Sequence, residues 1–318
     1  MKPTPEDLIE AAFALKEGQL VAFPTETVYG LGVDACNQKS VARLYKVKGR
    51  PSKHPIIVHI SSINRLELWA SKIPNYALQL ALEFWPGPLT LILPKTSLAE
   101  NYITGGQDNV GIRVPSENTA LTLLGEFEKI GGLGVAAPSA NRFGAVSPTS
   151  AEAVFDELSD FLDPNDLILK GDSCRIGIES TIIDCTRDLP LILRPGAITK
   201  TMIENSVKKK IDPNEARGHV KSPGLLKSHY SPAAVVSICG LARKGDGFIA
   251  LSHNPTPPGA VRLAAPNDVQ EYARDLYNSL RSADEVGIAR VVVIPPKGDG
   301  LALAIRDRLE RAAGLKTR

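Results

Sequence analysis

QLVAFPTETVYGLG, residues 19–32, sets the apolar run Gln19–Phe23 directly against the polar, glycine-punctuated stretch Pro24-Thr25-Glu26-Thr27-Val28-Tyr29-Gly30-Leu31-Gly32. A strand that opens into hydroxyls and permissive backbone is how an open α/β sheet presents a ligand, since such sites form in loops at the carboxyl ends of strands. The pattern recurs at Leu133–Ala137, which runs into Pro138-Ser139-Ala140-Asn141 with Ser147-Pro148-Thr149 beyond. Further apolar runs lie at Pro55–Ile60, Leu89–Leu93, Val110–Val114, Thr181–Cys185 and Leu191–Leu193. They alternate with helical spacing near Ser40–Lys48, Pro74–Phe84, Asn118–Glu128 and Ala151–Leu158. Upstream, Thr4 reads as an N-cap before Pro5, Glu6 and Asp7; Leu8, Ala12 and Leu15 follow at helical spacing, and Gly18 stops the helix. The alternation implies an α/β architecture with a mixed or mostly parallel sheet.

The texture changes near Asp212. DPNEARGHVKSPGLLKSHYSP, residues 212–232, carries three prolines and two glycines without a period, as a linker does. Strand-like Ala234–Cys239, Phe248–Leu251 and Ala260–Ala264, a helix near Asp268–Ser282, a strand Ile288–Ile294 and a helix near Gly300–Ala313 then form a second, smaller α/β unit. The expected division is a first domain over residues 1–211, a linker or lid over 212–233 and a small domain over 234–318.

Composition narrows the class. The 318 residues are 43% hydrophobic and 23% charged, enough for a sizeable core and unlike a disordered chain. A net charge of +2 excludes a chain that acts as a whole as a polycation. No apolar run approaches the roughly 18 residues of a membrane span, and the N-terminus does not read as a signal peptide. Cys36, Cys174, Cys185 and Cys239 show no CxxC spacing, so neither a zinc ribbon nor a disulfide framework is expected. A cytoplasmic location without membrane partners is the expectation.

Charge is nonetheless uneven. The 32 residues between Asp34 and Glu67 contain Lys39, Arg43, Lys46, Lys48, Arg50, Lys53 and Arg65 and no acid. Cations favour a helix C-terminus, but a solvated face normally mixes signs, so this window points to a polyphosphate or nucleic-acid site. The common nucleotide motifs are missing: no Gly-Lys dipeptide for a Walker A loop, no GxGxxG after a strand, no kinase HRD or DFG. Basic side chains would have to hold the phosphates.

PTETVYGLG at 24–32, Lys48-Gly49-Arg50-Pro51 followed by PIIVHI at 55–60, GIRVP at 111–115, PSAN at 138–141, ESTIID at 179–184 and LRPGAI at 193–198 together resemble the YrdC-type L-threonylcarbamoyladenylate synthases. SPGLLKSHYSP at 222–232 resembles the linker of the longer, two-domain members. Where relatives are expected to carry Asn, this chain has His54. The resemblance implies a YrdC-like twisted mixed sheet with helices and a smaller Rossmann-like C-terminal domain. It implies a nucleotidyltransferase that uses ATP, L-threonine and bicarbonate or CO2. The product, threonylcarbamoyl-AMP, would feed a separate threonylcarbamoyl transferase acting on tRNA, with tRNA itself a further partner. Mg2+ would arrive with ATP, without a dedicated protein metal site.

Carried over motif by motif, Lys48, Arg50, Ser139 and Asn141 are the catalytic set. Arg50, Lys53, His54, Asn109, Ser139, Ser147, Arg194 and Tyr230 are the ATP-binding set. Thr27, His59, Arg113, Ala137 and Ser180 are the threonine-binding set, with Arg113 the natural clamp for the carboxylate. Tyr230 and the basic, acid-free stretch 216–245 would cover the cleft, with Lys221–Pro232 as the lid. The competing class is a double-stranded RNA or tRNA-binding module without adenylation activity, gripping backbone through a basic surface; 5% aromatics and near-zero net charge weigh against it.

Overall fold

The computed structural model describes residues 2–211 and 230–314. Most of the expected linker, and the lid from Lys221 to His229, lie outside the described residues. Helices are α1 (Pro5–Glu17), α2 (Gln38–Lys48), α3 (Leu66–Trp69), α4 (Asn75–Phe84), α5 (Asn101–Thr104), α6 (Asn118–Lys129), α7 (Ala151–Leu158), α8 (Lys200–Val207), α9 (Val269–Glu285) and α10 (Leu301–Ala312). Strands are β1 (Val21–Phe23), β2 (Gly30–Asp34), β3 (Ile57–His59), β4 (Leu89–Pro94), β5 (Asn109–Arg113), β6 (Val135–Ala136), β7 (Leu167–Ile168), β8 (Thr181–Asp184), β9 (Leu191–Arg194), β10 (Val235–Ile238), β11 (Gly247–Ile249), β12 (Val261–Ala264) and β13 (Arg290–Val293).

The first nine strands form one mixed sheet in the order β7-β1-β2-β6-β3-β5-β4-β8-β9, and the last four a parallel sheet in the order β10-β13-β11-β12. The mixed α/β class expected from the sequence is the observed one. Local signals act as read: Thr4 and Asp7 exchange side-chain hydrogen bonds with each other's backbone N–H in a capping box, and Gly18 ends α1 at φ +93°. Asn37 caps α2 and Gly49 closes it in the left-handed region, which delivers Lys48 and Arg50 on either side of the turn.

One stretch departs from the reading. Gly30-Leu31-Gly32 was expected to belong to the polar loop, yet these residues open β2 (Gly30–Asp34), antiparallel to β1. The glycines are spatial rather than flexible features there: a Cβ on Gly32 would sit 2.7 Å from Val135 Cγ1 and 2.8 Å from the Phe23 ring. The loop is therefore confined to residues 24–29. β7 and α8 are also additions; a two-residue strand has no period to read.

Alternation in PIIVHI decides which face of the sheet holds the site. Ile56, Val58 and Ile60 point into the main core with Leu91, Leu93, Ile112 and Ile183. Ile57 faces the other side with Ile92, Ile182, Leu191 and Leu193, and His59 shares that side by the two-residue repeat. A second core crosses between the sheets. Val28, Val146 and Ile178, from loops of the first unit, pack with Tyr230, Tyr272, Leu276, Ile305 and Leu309.

Gly177 makes that joint possible. It holds φ +80°, and a Cβ there would lie 2.4 Å from Arg274 Cα and 2.5 Å from Ala273 O on α9. Both obstacles are backbone and cannot swing away. Gly177→Ala should cost about 2–4 kcal/mol through strain and a displaced α9, read as a lower urea midpoint of the whole chain; an unchanged midpoint would show that α9 is not seated on this loop.

Candidate active site

Over the His59 face opens a cleft whose lining mixes hydroxyls, cations and apolar side chains. Its walls come from the 25–30 loop, β3, the end of β5, the 137–139 loop, the Glu179–Ser180 approach to β8, Arg194 at the end of β9, Arg50 after α2, and Tyr230. The loops are joined by backbone. Leu31 N donates to Pro138 O, Ala140 N to Tyr29 O, and Tyr29 N to Pro148 O. Inside the first loop, Thr25 Oγ1 accepts from Thr27 N and Val28 N and donates to Val28 O at 2.6 Å, so the turn is self-capped.

Three buried guanidiniums line the cleft. Arg113 donates from Nη2 to Glu26 Oε1 at 2.6 Å and from Nε to Gly87 O at 3.3 Å, while Glu26 Oε2 accepts from Ser116 N. Arg194 donates from Nε to Ser180 O at 3.1 Å and from Nη2 to Ser180 Oγ at 3.2 Å; Ser180 Oγ lies 2.8 Å from Thr90 Oγ1. Arg50 donates from Nη2 to Pro55 O at 2.9 Å, its Cζ sits 5.8 Å from the Phe143 ring centroid, and its buried Nε has no partner among the described residues. Burial pulls Arg50 and Arg194 below the usual arginine range, and both remain charged at neutral pH.

His59 is buried and lines the cleft, with an Nδ1 that has no hydrogen-bond partner among the described residues. Burial, reinforced by Arg113, pushes its pKa down to about 3, so the imidazole is neutral. Glu179 behaves oppositely. Burial pushes its carboxyl up, but Arg308, Arg194 and the Ser147 hydroxyl outweigh burial and hold it at about 2.

Of the residues expected from sequence, Arg50, Ser139, Arg194 and Tyr230 meet Thr27, His59, Arg113, Ala137 and Ser180 in this one cleft. The others do not line it. Lys48 is 1% exposed, and its Nζ donates to Ser139 O at 2.5 Å and to Asn141 O. Burial, then Arg50, pulls its pKa below the usual lysine range. Rather than facing the cleft, Lys48 braces the loop that presents Ser139. Asn141 Nδ2 donates to Arg142 O and Ala145 O, folding the next turn. Ser147 Oγ donates to Glu179 at 2.7 Å. His54 leans edge-on against Phe143 at 5.4 Å, the ring that also underlies Arg50. Lys53 is exposed, and Asn109 opens β5 on the face of Arg113 but at the opposite end of the strand.

Sequence reasoning passed over Glu26, Thr90, Glu179, Tyr277 and Arg308. Glu26 and Glu179 sat inside quoted motifs without a role. Arg308 had a sharper signal: it falls on the apolar stripe of α10 with Leu301, Ile305 and Ala312, where a charge needs a buried partner. The acid-free window resolves differently from its reading as one site. Lys39, Lys46 and Lys53 are exposed, Arg43 pairs with Asp163 and Asp166, and Arg50 reaches the cleft.

Two family models match the chain: Sua5/YciO/YrdC, described as telomere recombination, over residues 13–196, and threonylcarbamoyl-AMP synthase, C-terminal domain, over residues 198–314. The chain is 39% identical to the threonylcarbamoyl-AMP synthase of Pyrococcus abyssi, across 96% of this chain and 94% of that one. It is 38% identical to the Bacillus subtilis enzyme of the same name, across 96% and 93%. The crystal structure of P. abyssi Sua5 complexed with L-threonine matches it with a TM-score of 0.88 at 36% identity, covering 100% of this chain and 98% of the other.

The neutral His59 has a consequence for acid stability. In the unfolded chain its pKa returns to 6.5, so below that pH the unfolded state binds a proton that the folded state refuses. Stability is therefore lost as pH falls from about 6.5 toward 3, by about 2 kcal/mol between pH 7 and pH 5 from this residue. Glu179 adds loss in the same direction, but only below its ordinary value of 4.5. His59→Gln should flatten the pH 7–5 slope of urea-unfolding free energy relative to wild type; parallel slopes would mean that His59 titrates normally.

Proposed function

The chain belongs to the Sua5/YciO/YrdC family, and from that premise we propose that it is a threonylcarbamoyl-AMP synthase. Threonine's amine adds CO2, supplied as such or from bicarbonate, to give N-carboxythreonine. A carbamate oxygen then attacks the α-phosphorus of ATP, forming threonylcarbamoyl-AMP and releasing pyrophosphate. The observation that carries this reading is the convergence on one cleft of the residues matched to a nucleotide site and those matched to a threonine site.

Each group has a part that follows from its setting. Arg113, held in plane by Glu26 and Gly87 O, is preorganised to receive the amino acid's carboxylate. Thr27 and Ser180 offer hydroxyls to the substrate hydroxyl, and neutral His59 offers a nitrogen that repels neither ammonium nor carbamate. Arg50 and Arg194 hold the phosphates, and Ser139, on the loop braced by Lys48, lies beside the adenylate. In the displacement, negative charge grows on phosphoryl oxygens, and fixed cations lining the cleft stabilise it without reorganising.

Among the described residues no group of three or more His, Cys, Asp or Glu is placed to hold a metal ion; Glu179, which lines the cleft, is held by Arg308, and Glu26, which does not, by Arg113. Mg2+ is read as entering with ATP, as part of the substrate. No helix among the described residues is long and apolar enough to cross a membrane. We place the reaction in the cytoplasm, upstream of a separate transferase that moves the threonylcarbamoyl group to tRNA.

Incubation with ATP, threonine and bicarbonate should yield threonylcarbamoyl-AMP by mass spectrometry; its absence from folded protein would refute the assignment. Arg50→Ala should lower kcat/KM about 10²–10³-fold, the scale of one lost charge contact in the transition state. Arg113→Met should instead raise the threonine KM about tenfold or more with a smaller change for ATP. Valine, which lacks the hydroxyl, should be turned over about a hundredfold less efficiently or worse; parity with threonine would remove Thr27 and Ser180 from the binding role.

A further inference from the structure

A carboxylate beside a triphosphate is a liability, and Glu179 lines the cleft. What neutralises it comes largely from the second unit. Arg308 Nε donates to Glu179 Oε2 at 2.8 Å from a side chain with no exposed surface. Tyr277 Oη lies 3.2 and 2.9 Å from the two carboxylate oxygens, and Ser147 Oγ supplies the contact from the first unit at 2.7 Å. The guanidinium of Arg308 is otherwise committed: Nη1 to Asp307 at 2.6 Å and Nη2 to Pro195 O at 3.1 Å, next to Arg194. Its Cζ lies 5.4 Å from the Tyr230 ring centroid, and that ring stacks on Tyr277 at 5.8 Å.

We infer that Arg308, assisted by Tyr277, is a positioning residue for the nucleotide: it cancels the charge of Glu179, so that this carboxylate neither repels the phosphates nor competes with them for Arg194. This rests on the synthase reading for which side chains meet ATP. After Arg308, the cation acting most strongly on Glu179 is Arg194. Without Arg308, Glu179 repels the phosphates and also draws Arg194 toward itself, away from Ser180 and from the ligand. Both effects weaken nucleotide binding, and neither acts directly on the Arg113 carboxylate clamp, whose partner is Glu26. The second unit thus acts on the charge of the first unit's site through Arg308 and Tyr277, without a side chain from α10 in the cleft.

The test uses the full chain, with KM for ATP and for threonine measured separately and melting recorded for every variant. Arg308→Met should raise the ATP KM about tenfold to a hundredfold, the scale of stranding one partner of a buried pair, and leave the threonine KM within about threefold. Adding Glu179→Gln removes the stranded charge and should recover most of the loss. A packing role for Arg308 does not predict that rescue. Unchanged ATP KM in Arg308→Met, or a loss that Glu179→Gln does not relieve, overturns the inference. Should Arg308→Met fail to fold, Tyr277→Phe carries the test: it removes one hydroxyl from Glu179 and keeps the stack on Tyr230, so a rise of a few-fold in ATP KM supports the inference and no rise overturns it. Calorimetric ATP binding separates this inference from the synthase reading. If wild type makes no threonylcarbamoyl-AMP yet binds ATP more tightly than Arg308→Met, the synthase reading falls and the inference stands; equal binding overturns it.

Discussion

Positive charge buried around a cleft is the constraint on which the structure turns. Lys48, Arg50, Arg113, Arg194 and Arg308 are all below one-tenth exposed, and taking each from water is costly unless its donors are met. The protein meets most of them with neutral acceptors, the carbonyls of Pro55, Gly87, Ser139, Asn141, Ser180 and Pro195. Carbonyls satisfy donors without cancelling charge. Carboxylates are used sparingly: Glu26 on Arg113, and Glu179 and Asp307 on Arg308. The cleft therefore keeps a surplus of fixed positive charge, which is what an anionic substrate and a more anionic transition state require.

The same bonds make the site rigid before any ligand arrives. Lys48 illustrates the economy. Placed at the last turn of α2, it reaches the backbone of a loop 91 residues later in the chain and fixes Ser139 and Asn141 at once. Asn141 then orders the turn to Ala145, and Phe143 from that turn supports both Arg50 and His54. The two short motifs, Lys48-Gly49-Arg50 and Ser139-Ala140-Asn141, thus act as one mechanical unit, in which one member of each lines the cleft and the other holds it there.

Local rules carried the sequence reading far and failed where pairing is remote. Caps, apolar periods and strand-to-loop transitions are written within a few residues, and Thr4, Gly18 and the PIIVHI alternation read directly. β2 misread because Gly30 and Gly32 look like hinges in one dimension; only the Phe23 and Val135 side chains show that Gly32 is a close approach. The acid-free window misled for the converse reason. It lacks acids in sequence, but Asp163 and Asp166 reach Arg43 from more than a hundred residues away. Glu26 and Glu179 were visible as letters in motifs, whereas their roles depend on Arg113 and Arg308, which no spacing connects to them.

The second core explains why the smaller unit bears on chemistry at all. Val28, Val146 and Ile178 each belong to a loop that also carries a candidate site residue: Thr27, Ser147 and Ser180 stand one or two positions away. These three apolar side chains bury themselves against α9 and α10, not in the first unit's main core. Each buried side chain of this size contributes about 1.5–3 kcal/mol, so the free energy that seats the second unit is the same free energy that orders the three loops. Glu179 lies within that seam and meets Arg308 there, while a second ion pair, Arg281 on Glu157 at 2.9 Å, joins α9 to α7. A displaced loop would carry Thr27 or Ser180 out of the cleft, or take Ser147 away from Glu179. Docking of the second unit and preorganisation of the site are in this fold one event, which is why an arginine on the last helix can be felt at the phosphates.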